Sequence, residues 1–412
     1  MFRVNRLHHS LTSRALQAGM PRRAPLHVLI AGGGPAAVEL LLGLHQLAEE
    51  RVAPEILAPS HEFVYRPLSV AHAFGASAPH RFSLASIARD GGGRHRLGAL
   101  VEVDAARHRA VLSDSSEVAY DALVIAAGAK AQPALAGALT FAGEVGLRAF
   151  QDLLDRIDRG GLRRVVFAVP GGVVWSLPLY ELALTTAARC HVRGLDHVEI
   201  TLVTSEDVPV AIFGRQASLA VASLLADAHI RTDTGVYPCR FENGHLALTP
   251  GEGIEADAVV ALPRLQGPRL AGLPHDGAGF IPVDPRGCVD GVDDVYAVGD
   301  ITPFPVKQGG IATQQADVVA EVLAAAAGAT VAPRLFRPVL RGLLLTGGPP
   351  MYLRSELRGG QGDTSRADVE PLWWPPSKIA GKYLSSYLAR VVAAEWPPGP
   401  RLEVDDFAPL LG

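Results

Sequence analysis

Val28-Leu29-Ile30-Ala31 runs without a polar residue into Gly32-Gly33-Gly34-Pro35-Ala36-Ala37, and a helical stretch, Val38 to Leu47, follows at once. An apolar strand, a glycine turn and a helix in direct succession read as the first βα unit of a dinucleotide-binding sheet. A pyrophosphate must come close to the main chain and accept hydrogen bonds from unpaired N–H groups at a helix start, which demands small residues there. Gly32 permits the tight turn, Gly34 lets phosphates approach, and Ala37 lets helix and strand pack. Gly32, Gly34, Pro35, Ala36 and Ala37 are therefore candidate cofactor contacts. A glycine turn that merely ends a strand has the same local look, so the assignment rests on a second segment downstream.

Along the chain, Glu55-Ile56-Leu57-Ala58 reads as the second strand. In dinucleotide sites this strand usually ends in an acid that accepts from the adenosine ribose, but here the place holds Ala58-Pro59. Glu62 is either its substitute or a solvated loop residue. Phe63 to Leu68, with Arg66 beside a proline, either lines the cofactor or packs as a loop. Residues 99–119 read as a strand and hairpin. The apolar run Tyr120 to Ala126 then reads as a buried parallel strand. It ends in Ala127-Gly128, a turn without side-chain bulk and a further candidate contact.

The pattern then repeats. Arg163 to Gly172 mirrors residues 26–34, and Ala256 to Leu262 mirrors Tyr120 to Ala126, at nearly the same interval. Between them lie a second strand, Glu199 to Thr204, and a hairpin around Asn243-Gly244. A duplicated module of this kind predicts tandem dinucleotide-binding domains. The second copy has lost its glycines: Val169-Pro170-Gly171 lies over Gly32-Gly33-Gly34, and the expected helix opens with Val173-Val174-Trp175-Ser176-Leu177-Pro178. Proline removes a donor and Trp175 adds bulk where a cofactor would lie. Two readings stay open: a retained fold with a reshaped pocket, or a working NAD(P)H site.

Residues 293–300 end a strand in Gly299-Asp300, and a helix is expected from Ile311 to Ala327. Glycine leaves room for a ligand while Asp300 offers a charged acceptor to a sugar-like hydroxyl chain, a bond of about 1.5–3 kcal/mol. If that ligand is a flavin, the positive end of the helix, with Ile311, Ala312 and Thr313, faces its pyrimidine edge.

Together, Ala31 to Ala37, the run ending in Ala126-Ala127-Gly128, and Tyr296 to Asp300 resemble the three flavin-side fingerprints of the pyridine nucleotide-disulfide oxidoreductase superfamily, in order, over residues 26–328. The resemblance implies one FAD, with its pyrophosphate at Gly32 to Ala37, ribityl chain at Asp300 and isoalloxazine near Ala312. Pro170 to Gly172, Pro209 to Gly214 and Lys307 to Gln315 look most like the sulfide:quinone reductase and type II NADH dehydrogenase branch. That branch passes two electrons from a small donor through FAD to a quinone. The chain departs from it in two respects. Sulfide oxidation there uses cysteines beside the flavin, and none lies between Cys288 and Gly412. Type II NADH dehydrogenases keep an intact second glycine motif.

The resulting expectation is an α/β protein of two tandem Rossmann-like dinucleotide-binding domains in a glutathione-reductase-like arrangement. Residues 25–135 and 265–328 form the FAD domain, 136–264 the second domain, and 329–412 a small C-terminal α+β cap. In the cap, residues 336–354 suggest a hairpin, and Lys378 to Ala394 a helix with Tyr383, Tyr387 and Leu388 on one face. The cap either packs on the FAD domain or a dimer partner, or covers the flavin and touches a membrane surface. Residues 1–24, rich in Arg and free of acids, read as a disordered tail from an early start codon, or as a targeting peptide.

With 412 residues, 48% hydrophobic and 19% charged, the chain carries a sizeable core, and a net charge of −4 gives no reason to expect nucleic acid. Three scattered cysteines form neither a C-x-x-C pair nor a metal-ligand spacing, and fit a reducing, cytoplasmic compartment. No apolar run reaches membrane-spanning length. The leading functional expectation is an FAD-dependent oxidoreductase that takes two electrons from a small donor and passes them to an acceptor such as a quinone. The alternatives are an NAD(P)H-dependent FAD reductase and a non-catalytic FAD scaffold. No catalytic residue is assigned.

Overall fold

The computed structural model describes residues 24–75, 80–357 and 364–395. Residues 1–23 of the expected tail and 396–412 of the C-terminal region lie outside these. The opening strand β1 (Leu26–Ala31) is buried along nearly its whole length, and α1 (Pro35–Ala48) begins on a proline, whose fixed φ suits a first helical position. The strand β2 (Val52–Ala58) starts three residues earlier than expected. It is followed by β3 (Arg94–Leu97) and β4 (Ala122–Ile125). All run parallel, with Ile30 opposite both Ile56 and Val124. Burial on both faces explains why β1 and β4 read as unbroken apolar runs.

The second unit comprises β5 (Leu139–Thr140), α2 (Leu147–Asp158), β6 (Arg164–Ala168), α3 (Leu177–Val192), β7 (Glu199–Val203), α4 (Arg215–Asp227), β8 (Arg231–Asp233) and β9 (Ala258–Ala261). Its parallel sheet has the order β5-β9-β6-β7-β8. Asp257 ahead of β9 accepts the N–H of Arg163, and Asp121 ahead of β4 accepts that of His27, both at 2.8 Å and both across 94 residues. The duplication thus extends to single hydrogen bonds. The Asn243-Gly244 turn joins Tyr237–Glu242 to His245–Thr249 with both φ angles positive, the geometry a two-residue hairpin favours.

The chain then returns to the first sheet. Arg264–Gln266 on the way back pairs antiparallel with Lys130–Gln132 on the way out, so the two domain crossings lie side by side. Strand β10 (Val295–Ala297) joins β4, giving the order β10-β4-β1-β2-β3, and α5 (Gly309–Ala326) packs on α1. Small residues allow that close packing: a Cβ on Gly43 would stand 3.2 Å from the Cβ of Ala320.

The C-terminal region is α+β. Strands β11 (Val339–Leu344), β12 (Met351–Glu356) and β13 (Arg366–Asp368) form an antiparallel sheet, and α6 (Leu384–Glu395) follows. The helix expected from Lys378 begins only at Leu384, and Tyr383 lies outside it. Its start is fixed from elsewhere: the carboxylate of Glu39 accepts the N–H groups of Tyr383 and Leu384 at 2.8 and 2.6 Å. The helix expected to open with Val173 likewise starts at Leu177, because residues 169–176 form an irregular loop at the tip of β6.

Candidate functional site

The glycines of the opening motif do different work. Gly32 has φ +147°, and a Cβ there would lie 2.1 Å from the carbonyl oxygen of Ala126, so only glycine lets β1 turn this close to β4. Gly34 is the extended residue ahead of α1; no side chain caps that helix start, and a Cβ on Gly34 would meet nothing within 4 Å. The start of α1 therefore faces open space, as an anion cradle requires. Gly128, at φ +70°, also faces open space, and Ala127 beside it is exposed.

Gly299 draws the fingerprints together. Its φ is +78°, and a Cβ there would stand 3.3 Å from the Cβ of Ala36 and 3.2 Å from that of Ala312. Its N–H donates to Gln315 Oε1 at 2.6 Å. The tip of β10 is thus wedged between the starts of α1 and α5. Asp300 follows, half-buried; burial pushes its carboxyl pKa up, while Lys307 and Arg66 oppose the rise. Lys307 Nζ donates to the carbonyls of Asp300, at 3.1 Å, and Thr302, and sits 3.7 Å from the centre of the Phe280 ring. Burial brings its pKa down to about 8, against Asp300 and Asp276.

At the head of α5, Gln308 Oε1 caps the N–H of Ile311 at 2.9 Å, and its amide donates to the Arg341 carbonyl at 2.9 Å. Ala312 packs on Gly299. Thr313 is fully buried with its hydroxyl on the Gly310 carbonyl, and Ile311 belongs to the second domain's core. The residues that this helix start presents to a cavity are Gln308 and Gly309.

That cavity, about 580 Å³, has walls from all three regions. Asp300 and Ala129 come from the first domain, Phe141 and Trp175 from the second, and Arg341 and Lys378 from the cap. None of Cys190, Cys239 and Cys288 lines it, and all three are unpaired thiols. Sequence periodicity gave no sign of how the cap is held. Glu39 is the fifth residue of α1 and Glu181 the fifth of α3, equivalent places in the two copies. Glu39 takes the N–H groups of residues 383 and 384, while buried Glu181 pairs with the Lys378 ammonium and accepts the Leu345 N–H at 3.1 Å. Tyr65, in the loop suspected of lining the cofactor, accepts the Ile379 N–H on its hydroxyl at 3.0 Å. The duplicated modules clamp one segment, residues 378–384, across the cavity.

Glu62, the alternative ribose acceptor, pairs with Arg81 at 3.1 Å. In the second copy, β7 is followed directly by Thr204, whose hydroxyl donates to Glu206 at 3.0 Å. The Glu206 carboxylate also accepts the Tyr180 hydroxyl at 2.8 Å and the Ala211 N–H at 3.1 Å, and burial raises its pKa. The loop after β6 turns Val173, Val174 and Trp175 to the cavity. Among the described residues, no helix is long and apolar enough to cross a membrane.

The fold is shared widely. The structure superposes on the sulfide:quinone oxidoreductase from the hyperthermophilic bacterium Aquifex aeolicus with a TM-score of 0.73, covering 90% of each chain at 17% identity. With the ferredoxin reductase for the CYP199A2 system from Rhodopseudomonas palustris the TM-score is 0.61, over 82% of this chain and 84% of that one at 21% identity. In sequence, an NADH dehydrogenase-like protein of Mycobacterium tuberculosis is 26% identical over 66% of this chain and 72% of its own length. The ferredoxin reductase component of a chlorobenzene dioxygenase from a Cupriavidus species is 28% identical, over 53% of this chain and 52% of that protein. Residues 26–325 match the family described as pyridine nucleotide-disulphide oxidoreductase, and the chain belongs to that family.

Proposed function

We propose that the protein is an FAD-dependent oxidoreductase that moves two electrons between a small donor and an acceptor such as a quinone, both entering the cavity beneath the cap. When bound, FAD supplies the two-electron carrier. On this reading Gly32, Gly34, Pro35, Ala36 and Ala37 hold its pyrophosphate, Ala127 and Gly128 let it pass the tip of β4, and Gly299 and Asp300 receive its ribityl chain. Ile311 and Ala312 serve indirectly, by fixing the start of α5 against Gly299. Lys307 and Arg66 balance the charge of Asp300 where water is largely excluded, and the segment held by Glu39 and Glu181 closes the cavity from above.

One contrast carries the reading. The first copy leaves its phosphate position open in front of Gly34, whereas the second sets bulky side chains along the loop ahead of its helix. Val173 to Trp175 occupy the loop, and the acid past β7 is committed to Tyr180 and Ala211. A nicotinamide nucleotide therefore finds neither a phosphate grip nor a free ribose acceptor there. Anaerobic addition of stoichiometric NADH or NADPH tests this: the flavin absorbance is expected to persist for minutes. Prompt bleaching favours the second reading, an NAD(P)H-dependent reductase, which the similarity to an NADH dehydrogenase-like protein supports.

A further inference from the structure

The C-terminal sheet brings into the cavity a guanidinium that the protein answers only in part. Arg341 on β11 lines the cavity, and its buried Nε has no hydrogen-bond partner among the described residues. Across the β11–β12 ladder it faces Arg354, and like charges set directly opposite are unfavourable. The carboxylate at the end of β12, Glu356, is taken by Arg354 at 3.1 Å. Burial first, and then Arg354, holds the Arg341 guanidinium below its ordinary pKa, against the nearby Glu356 carboxylate, which only partly offsets them.

The other charges of the cavity are paired or, like Arg264, exposed to solvent. Glu181 is paired with Lys378, and Asp300 faces Lys307 and Arg66. Asp276 receives the N–H groups of Ala278 and Phe280, both at 2.9 Å. Gln308 ties the main chain of Arg341 to the head of α5, where the unpaired N–H groups of a helix add further positive potential. The same cavity is lined by the apolar and aromatic side chains of Phe141, Val173 and Trp175. A fork of guanidinium donors beside an aromatic wall matches a molecule with a flat apolar body and one acidic oxygen group.

We infer that the small electron carrier admitted to this cavity is a ring-bodied organic oxyanion, its acidic oxygen held by Arg341 and its ring laid against Trp175. The inference rests on the reading of the cavity as the substrate end of a flavoprotein, and it adds the charge of that substrate.

Calorimetric titration of the purified protein, its flavin content measured beforehand, tests it with two probes of one shape. These are 2-hydroxy-1,4-naphthoquinone, ionised at pH 7.5, and its neutral 2-methoxy ether. The expected result is that the anion binds at least about tenfold more tightly than the ether, a difference of about 1.4 kcal/mol. Arg341→Gln should bring the two affinities together without changing that of the ether, while Arg341→Lys keeps part of the preference. Equal affinities in the wild-type protein overturn the inference and leave the flavoprotein reading standing. Failure of both probes to bind a protein carrying stoichiometric flavin overturns the reading of the cavity as well. Should Arg341→Gln not fold, the wild-type comparison at low and high salt decides alone, since a preference resting on charge weakens with salt.

Discussion

A Cβ placed on Gly299 would stand 3.3 Å from the Cβ of Ala36, although 263 positions separate the two residues (299 − 36). Ala36 is the second residue of the helix that follows the amino-terminal glycine motif, and Gly299 leads directly to Asp300. Any side chain at 299 has to adopt a positive φ and also push apart α1 and α5. Gly299→Val is expected to destabilise the protein by about 3 kcal/mol or more, combining backbone strain with overpacking. It should also lose flavin on gel filtration. Denaturant unfolding and the flavin absorbance of the eluted protein check both outcomes.

The clamp on the cap is testable through its buried ion pair. The Glu181 and Lys378 side chains are only 2% and 9% exposed, so removing one leaves a charge without a partner. Lys378→Met should lower stability by about 3–5 kcal/mol. The double variant Glu181→Gln/Lys378→Met should recover most of that loss. A double-mutant cycle of unfolding free energies gives the coupling directly.

The equivalent position in the first copy makes stability depend on pH. Asp317 on α5 lies beside Glu39, and burial together with the Glu39 charge raises its pKa to about 8. Burial raises the Glu39 pKa too, against the main-chain donors of residues 383 and 384, so the two neighbouring acids hold a proton between them at neutral pH. A folded pKa above the unfolded value near 4 contributes stability that is full below about pH 4 and lost as pH rises through about 8. Asp317→Asn, which copies the protonated form, should therefore melt higher than wild type at pH 9 and close to it at pH 5.

Lys307 titrates in the same range with a different consequence. Its pKa, brought down to about 8 by burial, places loss of its charge beside Asp300 within the working range of an enzyme. FAD affinity is expected to weaken several-fold as pH rises from 7 to 9, because the neutral amine no longer offsets the Asp300 carboxylate. In Lys307→Met the profile should be flat. Equilibrium dialysis of the flavin across that range measures it without reference to turnover.

Much of this arrangement can be read from the chain because local pattern encodes it. Residues 28–37 carry strand, turn and helix start in one continuous stretch, and Ala122–Ile125 and Ala258–Ala261 are short apolar runs that buried parallel strands require. What pattern does not encode is partnership across hundreds of residues. Glu39 and Glu181 look like ordinary helical acids until Leu384 and Lys378 are brought to them, and the start of α6 depends on Glu39 rather than on any residue next to it. Trp175 signalled bulk in the second copy, but the internal bonding of Glu206 depends on Tyr180, from another element. Arg341 gives no sequence signal, since only the strand register sets it opposite Arg354.

The measurement that bears most directly on the account is the flavin content of protein purified from a flavin-replete host, compared with that of Gly34→Leu and Asp300→Leu. The first substitution fills the open space ahead of α1, and the second removes the acceptor after Gly299. The account predicts about one FAD per chain for the wild-type protein and a loss of at least tenfold in affinity for each variant, about 1.4 kcal/mol or more. A colourless wild-type protein, or two variants that keep their flavin as tightly as the parent, would contradict it.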